Sequence, residues 1–303
     1  MKRSILGVLL VLTFVAVGIA SAPPLTFTFS DVHATKTAIE TDSYGVNNAG
    51  VIAGDYIDSK SVQHGMILAG TKLTTIDNKA CAAIAGAGGI SFYSVNSANA
   101  AAGWCTNAKT NLYEGFVYAK GKFTAISYPK STGTEATGIN DKGEVVGLYL
   151  DSSGVSHGFR YANKKYTAIN VKGAAQTAAW AVNNAGDVAV YSGTSFSGGA
   201  LLCPCAGYLL KGTKFIKVTD PNAGSSGNVV HAPNNKGDID GTYYDSSGLT
   251  HGFLLHGGKY YDVNDPNGPT ATRADGLNDK LEIVGRYTNS SSGATVGFKA
   301  TTK

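Results

Sequence analysis

One asparagine recurs six times along the chain, as Asn47, Asn96, Asn140, Asn183, Asn234 and Asn278, at intervals of 49, 44, 43, 51 and 44 residues. The third copy shows the repeated unit most clearly, in TGINDKGEVVGLYLDSSGVSHGFRYANKKYTAIN at residues 137–170. Its short runs are rich in β-branched and aromatic residues. Asn-Asp-Lys-Gly, Asp-Ser-Ser-Gly and Ala-Asn-Lys separate them, and such residues make tight hairpin turns. One unit therefore reads as a four-stranded antiparallel meander. Units of about 40–50 residues that each form such a sheet suit the radial array of a β-propeller.

The other landmarks keep the same count. A glycine opens the third run at Gly65, Gly115, Gly158, Gly207, Gly252 and Gly297. The fourth run pairs an aromatic residue or Leu with Ile or Val three positions on: Leu73/Ile76, Phe123/Ile126, Tyr166/Ile169, Phe215/Val218 and Tyr260/Val263. No sixth fourth run follows Gly297. It stands at the other end, where Phe29-Ser30-Asp31-Val32 matches Tyr260-Tyr261-Asp262-Val263, and Val32 precedes Asn47 by the same 15 residues that separate Val263 from Asn278. The expected fold is all-β: a six-bladed β-propeller of four-stranded antiparallel blades, closed by the N-terminal strand completing the last blade. The blades fall at about 44–78, 92–129, 137–170, 179–221, 230–266 and 274–303 plus 25–32. Because the ring needs all six, residues 23–303 are expected to form one domain, although 303 residues could fill two.

The leader gives the destination. Lys2-Arg3 precedes an apolar run at 5–20 and then small residues, the layout of a secretory signal peptide over residues 1–22, cut after Ala20 or Ala22. That run is short against the ~20 residues of a membrane span. The product is expected to be secreted, periplasmic or on the cell surface, with no membrane span once the signal is removed. Loss of Lys2 and Arg3 also takes the formal charge from +4 to +2, which supports neither nucleic-acid nor anionic-membrane binding. A monomer is expected. In an oxidising compartment the four cysteines can pair. Cys81 follows the outer strand of blade 1 and Cys105 ends the second strand of blade 2, so a bridge between them is expected across the first blade boundary. Cys203-Pro204-Cys205 reads as a local pair, a metal-ligand pair or two free thiols.

Gly-Ile-Asn-Asp-x-Gly, then Val-Val-Gly-x-Tyr, then His-Gly-Phe resembles the bacterial extracellular HAF-type repeat family. Its third-run triplet stands here as His64-Gly65-Met66, His157-Gly158-Phe159 and His251-Gly252-Phe253, with weaker forms at Glu114-Gly115-Phe116, Ala206-Gly207-Tyr208 and Val296-Gly297-Phe298. Gly replaces the family's Ala throughout, and only three copies keep His. The resemblance implies secretion and a propeller-like fold, and it carries over no functional residue.

Residues shared by every copy hold blades together, so a binding site should appear where the copies differ. Three residues before each turn Asn, on the strand expected to line the channel, the copies read Tyr44, Tyr93, Thr137, Trp180, His231 and Asp275. The residue after each is small. Three aromatics with a His and an Asp could stack a sugar ring or an apolar peptide side chain at the channel mouth on the connector side, with Glu135 and Arg273 adding charge from adjoining connectors. Inter-blade packing is the competing reading of the same ring. His64, His157 and His251 alternate around the ring, and a bond to the neighbouring hairpin suits them better than a shared metal. Gly154-Val155-Ser156-His157-Gly158 matches the Gly-x-Ser-x-Gly nucleophile pattern, but it spans a hairpin tip rather than a strand–turn–helix elbow. The sequence thus points to a binding scaffold for an extracellular glycan or protein. A polysaccharide hydrolase or lyase with its site at the channel mouth is the alternative, and no catalytic residue, cofactor or metal is assigned.

Overall fold

A computed structural model describes residues 25–81 and 89–302; the signal-peptide reading at residues 1–22 lies outside them. Six four-stranded antiparallel sheets are arranged in a ring. Blade 1 contains Glu40–Val46, Val51–Ile57, Gln63–Ala69 and Lys72–Ile76, ordered from the axis outwards. Blade 2 contains Ser91–Val95, Ala101–Thr106, Tyr113–Ala119 and Lys122–Ile126, and blade 3 contains Gly133–Ile139, Val145–Leu150, Ser156–Ala162 and Lys165–Ile169. Blade 4 has Gln176–Val182, Val188–Gly193, Ala206–Lys211 and Lys214–Val218, with a separate small hairpin, Ser195–Ser197 and Ala200–Leu202, inserted between its second and third strands. Blade 5 has Asn228–Pro233, Ile239–Tyr244, Thr250–His256 and Lys259–Val263. The inner strands of blades 1 and 3 begin about four residues before the boundaries read from sequence. Glu135 and Arg273 therefore belong to strands and not to connectors.

Blade 6 takes Thr272–Leu277, Ile283–Thr288 and Thr295–Thr302 from the end of the chain and Phe27–Val32 from its beginning. Phe29 lies opposite Ala300 and Val32 opposite Gly297. The borrowed strand repeats the chemistry of an ordinary outer strand. Tyr287 donates to Asp31 at 3.0 Å, as Tyr243 donates to Asp262 at 3.0 Å in blade 5. Closure leaves no blade short of its fourth strand.

Six asparagine side chains complete a hydrogen-bonded circle around the axis. Each Nδ2 donates to the backbone carbonyl of the next turn Asn: Asn47 to Asn96, Asn96 to Asn140, Asn140 to Asn183, Asn183 to Asn234, Asn234 to Asn278, and Asn278 back to Asn47, at 2.9–3.2 Å. The same side chain's Oδ1 accepts from backbone N–H groups of its own turn, as Asn140 does from Lys142 and Glu144. The residue is thus a turn former and a blade-to-blade clamp at once. Between blades the core is apolar, and the third-strand glycines let neighbouring sheets close up. A Cβ at Gly158 would run into the Ala179 amide of blade 4, and one at Gly252 into Ala274 of blade 6.

Asn183→Ala should lower stability by roughly 2–3 kcal/mol, because it strips partners from the buried Asn234 carbonyl and the Asp187 amide. Asn183→Asp, which keeps the acceptor but loses the donor, should cost less than Asn183→Ala. Urea unfolding of the two variants checks the order; equal stability to the parent would remove the clamp role.

Candidate functional site

Each inner strand carries an irregularity at the same place. The register slips between Ser43 and Gly45, Phe92 and Ser94, Ala136 and Gly138, Ala179 and Ala181, Val230 and Pro233, and Ala274 and Gly276. The residue skipped in blades 1–4 and 6 is Tyr44, Tyr93, Thr137, Trp180 or Asp275; in blade 5 the slip spans His231 and Ala232. A β-bulge leaves a residue unpaired and re-aims its side chain. The variable ring read from sequence is therefore a ring of bulges at the axis.

The structure brings this ring together at the waist of the channel, not at a mouth on the connector side. Tyr44 and Tyr93 stack with centroids 4.3 Å apart, Tyr93 meets Trp180 edge-on at 5.1 Å, and Trp180 packs on His231 at 5.5 Å. Thr137 is buried and donates to the Ala179 carbonyl at 2.9 Å. Above the ring a well opens on the face carrying the Asn turns. Its volume is about 100 Å³. Tyr44, Tyr93, Trp180 and Asp275 line it, but Thr137, His231, Glu135 and Arg273 do not. Its rim is polar: Ser97 and Asn184 donate to Asp141, and Asn48 and Asn235 donate to Asp279, at 2.7–2.9 Å. Both carboxylates are held below the usual range by hydrogen bonds that outweigh their partial burial.

Below the ring lies a charged cluster whose second arginine sequence reading missed. Arg286 of the second strand sits 4.9 Å above the Tyr44 ring, 3.5 Å from Asp42 and 3.6 Å from Asp275. Its register position opposite Arg273 was the available signal. Arg273 approaches Asp275 at 3.7 Å, and His231 Nδ1 approaches it at 3.4 Å. Burial works to raise Asp275, but Arg286, His231 and Arg273 outweigh it and hold the carboxyl below its ordinary value. His231 goes the other way: burial lowers it to about 4 against the pull of Asp275, and its Nδ1–H donates to the Ala274 carbonyl at 2.6 Å. A neutral imidazole bonded to backbone and shut away from the well is a poor general acid.

Glu135 stands apart from this cluster. It is fully buried, and neither carboxyl oxygen has a hydrogen-bond partner among the described residues. Gly199 at the tip of the blade-4 hairpin lies against it and against Trp104. Burial alone pushes the Glu135 carboxyl well above the usual range, which favours its neutral form.

The remaining motifs resolve locally. His157 bonds Asn170 at 2.9 Å and Asp151 at 3.1 Å, and His64 bonds Asp77 at 2.8 Å, far from one another on separate blades. Ser156 is a buried strand residue whose hydroxyl donates to the Thr177 carbonyl at 3.0 Å. Cys81 and Cys105 form a disulfide, as do Cys203 and Cys205, which settles the second pair as a local bridge.

No protein-family model and no curated protein sequence matches the chain. Solved structures do. A lectin of Aleuria aurantia in complex with Fucα1-6GlcNAc superposes with a TM-score of 0.53 at 11% identity, over 89% of this chain and 96% of the lectin. SapL1 lectin in complex with α-methyl fucoside gives 0.52 at 10% identity over 87% and 93%. A putative TolB of Agrobacterium tumefaciens gives 0.55 at 10% identity over 93% and 99%. At such identities the likeness is one of fold.

Two proton-linked outcomes follow. As pH rises past the ordinary Glu range, the unfolded chain releases the Glu135 proton while the folded protein keeps it, so stability is lost with rising pH. Glu135→Gln should therefore gain stability at pH 8 relative to pH 5, by up to ~1.4 kcal/mol per pH unit. For His231 the unfolded chain takes up a proton first as pH falls from 6.5 to about 4, so stability drops on acidification. His231→Asn should remove about 3 kcal/mol of that acid loss. Denaturant titrations across pH 4–8 measure both slopes, and slopes like the parent's would contradict the assignments.

Proposed function

We propose that the protein is an extracytoplasmic binding scaffold whose axial well receives the terminal residue of a glycan. The observation that carries this reading is the well's composition. An aromatic floor of Tyr44, Tyr93 and Trp180 lies under a rim of Asn, Ser and Asp. Aromatic floors suit the apolar face of a pyranose, and fixed amides and carboxylates suit its hydroxyls. At about 100 Å³ the well is smaller than the ~300 Å³ of ordinary ligand pockets, so it admits no more than a single ring edge or substituent. Two disulfides support residence in an oxidising compartment, and the signal-like leader supports export. The fold's likeness to glycan-bound lectin structures is consistent with the ligand class. Binding is favoured over hydrolysis or elimination because the Asp275 carboxyl, His231 and Glu135 are all buried away from the well, and the rim carboxylates Asp141 and Asp279 are tied up in hydrogen bonds.

A glycan array probed with the mature protein tests this. Ser97→Trp, an exposed rim substitution that leaves the floor intact, should abolish glycan retention by blocking the mouth, with an unchanged melting temperature. Trp180→Ala should weaken retention at least tenfold. Retention unaffected by Ser97→Trp would remove the well as the binding site.

A further inference from the structure

A second opening lies between blades 2 and 3, where blade 2 lacks an aromatic pair that blades 1, 3 and 5 carry. In blades 1, 3 and 5 a Tyr of the second strand stands opposite the His that starts the third, as Tyr56 opposite His64, Tyr149 opposite His157 and Tyr243 opposite His251. Each pair stacks with ring centroids 5.0–5.1 Å apart. Acidic or amide groups of the flanking turns pin the imidazoles, so the pair fills the side of its blade. In blade 2 the corresponding residues are Cys105 and Glu114. Cys105 is drawn into the bridge with Cys81, and Glu114 carries no ring. The Tyr–His stack is absent from this blade, and a groove of about 310 Å³ stands at the position.

We propose that this groove is a binding site for an uncharged sugar ring, separate from the axial well. Its lining is divided in the way such a ligand is divided. Tyr113 and Phe123 supply aromatic surface over the buried Phe116, while Asn78 and Glu114 supply hydrogen-bonding groups. Asn107 Nδ2 donates to Glu114 Oε1 at 2.8 Å and orients the carboxylate. An acceptor-only carboxylate beside aromatic carbon suits vicinal hydroxyls. Among the described residues no Lys, Arg or His lines the groove, so none of them offsets the repulsion a uronic or other acidic sugar would meet from Glu114. The volume is at the low end for small-molecule pockets and matches one or two rings. The Tyr–His stack marks alternate blades; blades 4 and 6 have Ser192/Ala206 and Tyr287/Val296 at the pair, and blade 2 has the bridged Cys105 beside the acidic Glu114.

This inference shares only its ligand class with the axial-well reading, and the two can fail separately. Calorimetric titration with methyl glycosides of neutral hexoses and deoxyhexoses, and with a methyl glucuronide as acidic control, should find two sites on the parent protein. Glu114→His, which restores the residue of blades 1, 3 and 5, should lower the stoichiometry to one. Glu114→Gln should weaken the groove site about tenfold while the fold is untouched. Ser97→Trp should instead remove the well site and leave the groove. The groove proposal is overturned if neither Glu114 variant changes stoichiometry or affinity, or if the glucuronide binds there as well as the neutral sugars. Loss of all binding in Glu114→His with no effect of Ser97→Trp would retire the well and keep the groove. Melting curves on both Glu114 variants separate lost binding from lost fold.

Discussion

Everything in this molecule depends on ring closure, and closure is carried by two hydrogen-bonded seams at different radii. At the outer radius Phe27–Val32 pairs with Thr295–Thr302 and finishes the last sheet. At the axis the six-Asn circle runs unbroken through the same junction, since Asn278 donates to the Asn47 carbonyl at 2.9 Å. An open propeller would expose unpaired strand edges and the apolar faces of two blades to water. The turn asparagines are buried, so each circle bond supplies a partner to a carbonyl that has little contact with solvent.

Closure also explains why the axis is the place where copies diverge. Six inner strands converge on one line, and small residues after each bulge let them approach: a Cβ at Gly138 would strike the Trp180 carbonyl and Ala181 of the next blade. The bulge then turns one side chain per blade inwards, and no repeat-wide packing rule governs that position. Stacked aromatics occupy the side of blades 1, 2 and 4, while His231 and Asp275 occupy that of blades 5 and 6. The polar groups trapped beneath are sorted by their neighbours. Asp275, beside two arginines and His231, is held below its ordinary value, whereas burial pushes Glu135, which has no partner, well above its own.

Much of this was legible in the sequence. The Asn spacing showed six turns, the Phe29–Val32 match showed closure, and the same three-residue offset picked out the bulge ring before any coordinates. What stayed hidden were relations between residues far apart in sequence. Arg286 pairs with Asp42 across the closing junction, 244 positions away along the chain, and no local pattern announces it. The connector-side placement rested on strands read as starting at the ring; strands 40–46 and 133–139 begin four residues earlier, so the ring lies within the strands and the well opens on the face of the Asn turns.

By itself, then, the sequence determined the number of blades, their strand order and the seam that joins the two ends of the chain. Those follow from local turn chemistry repeated at a fixed period. Tertiary structure alone decided which of the variable residues meet, which face the well opens on, and which carboxyls keep their charge. These properties arise from distances and dielectric surroundings that exist only when six sheets are brought around one axis.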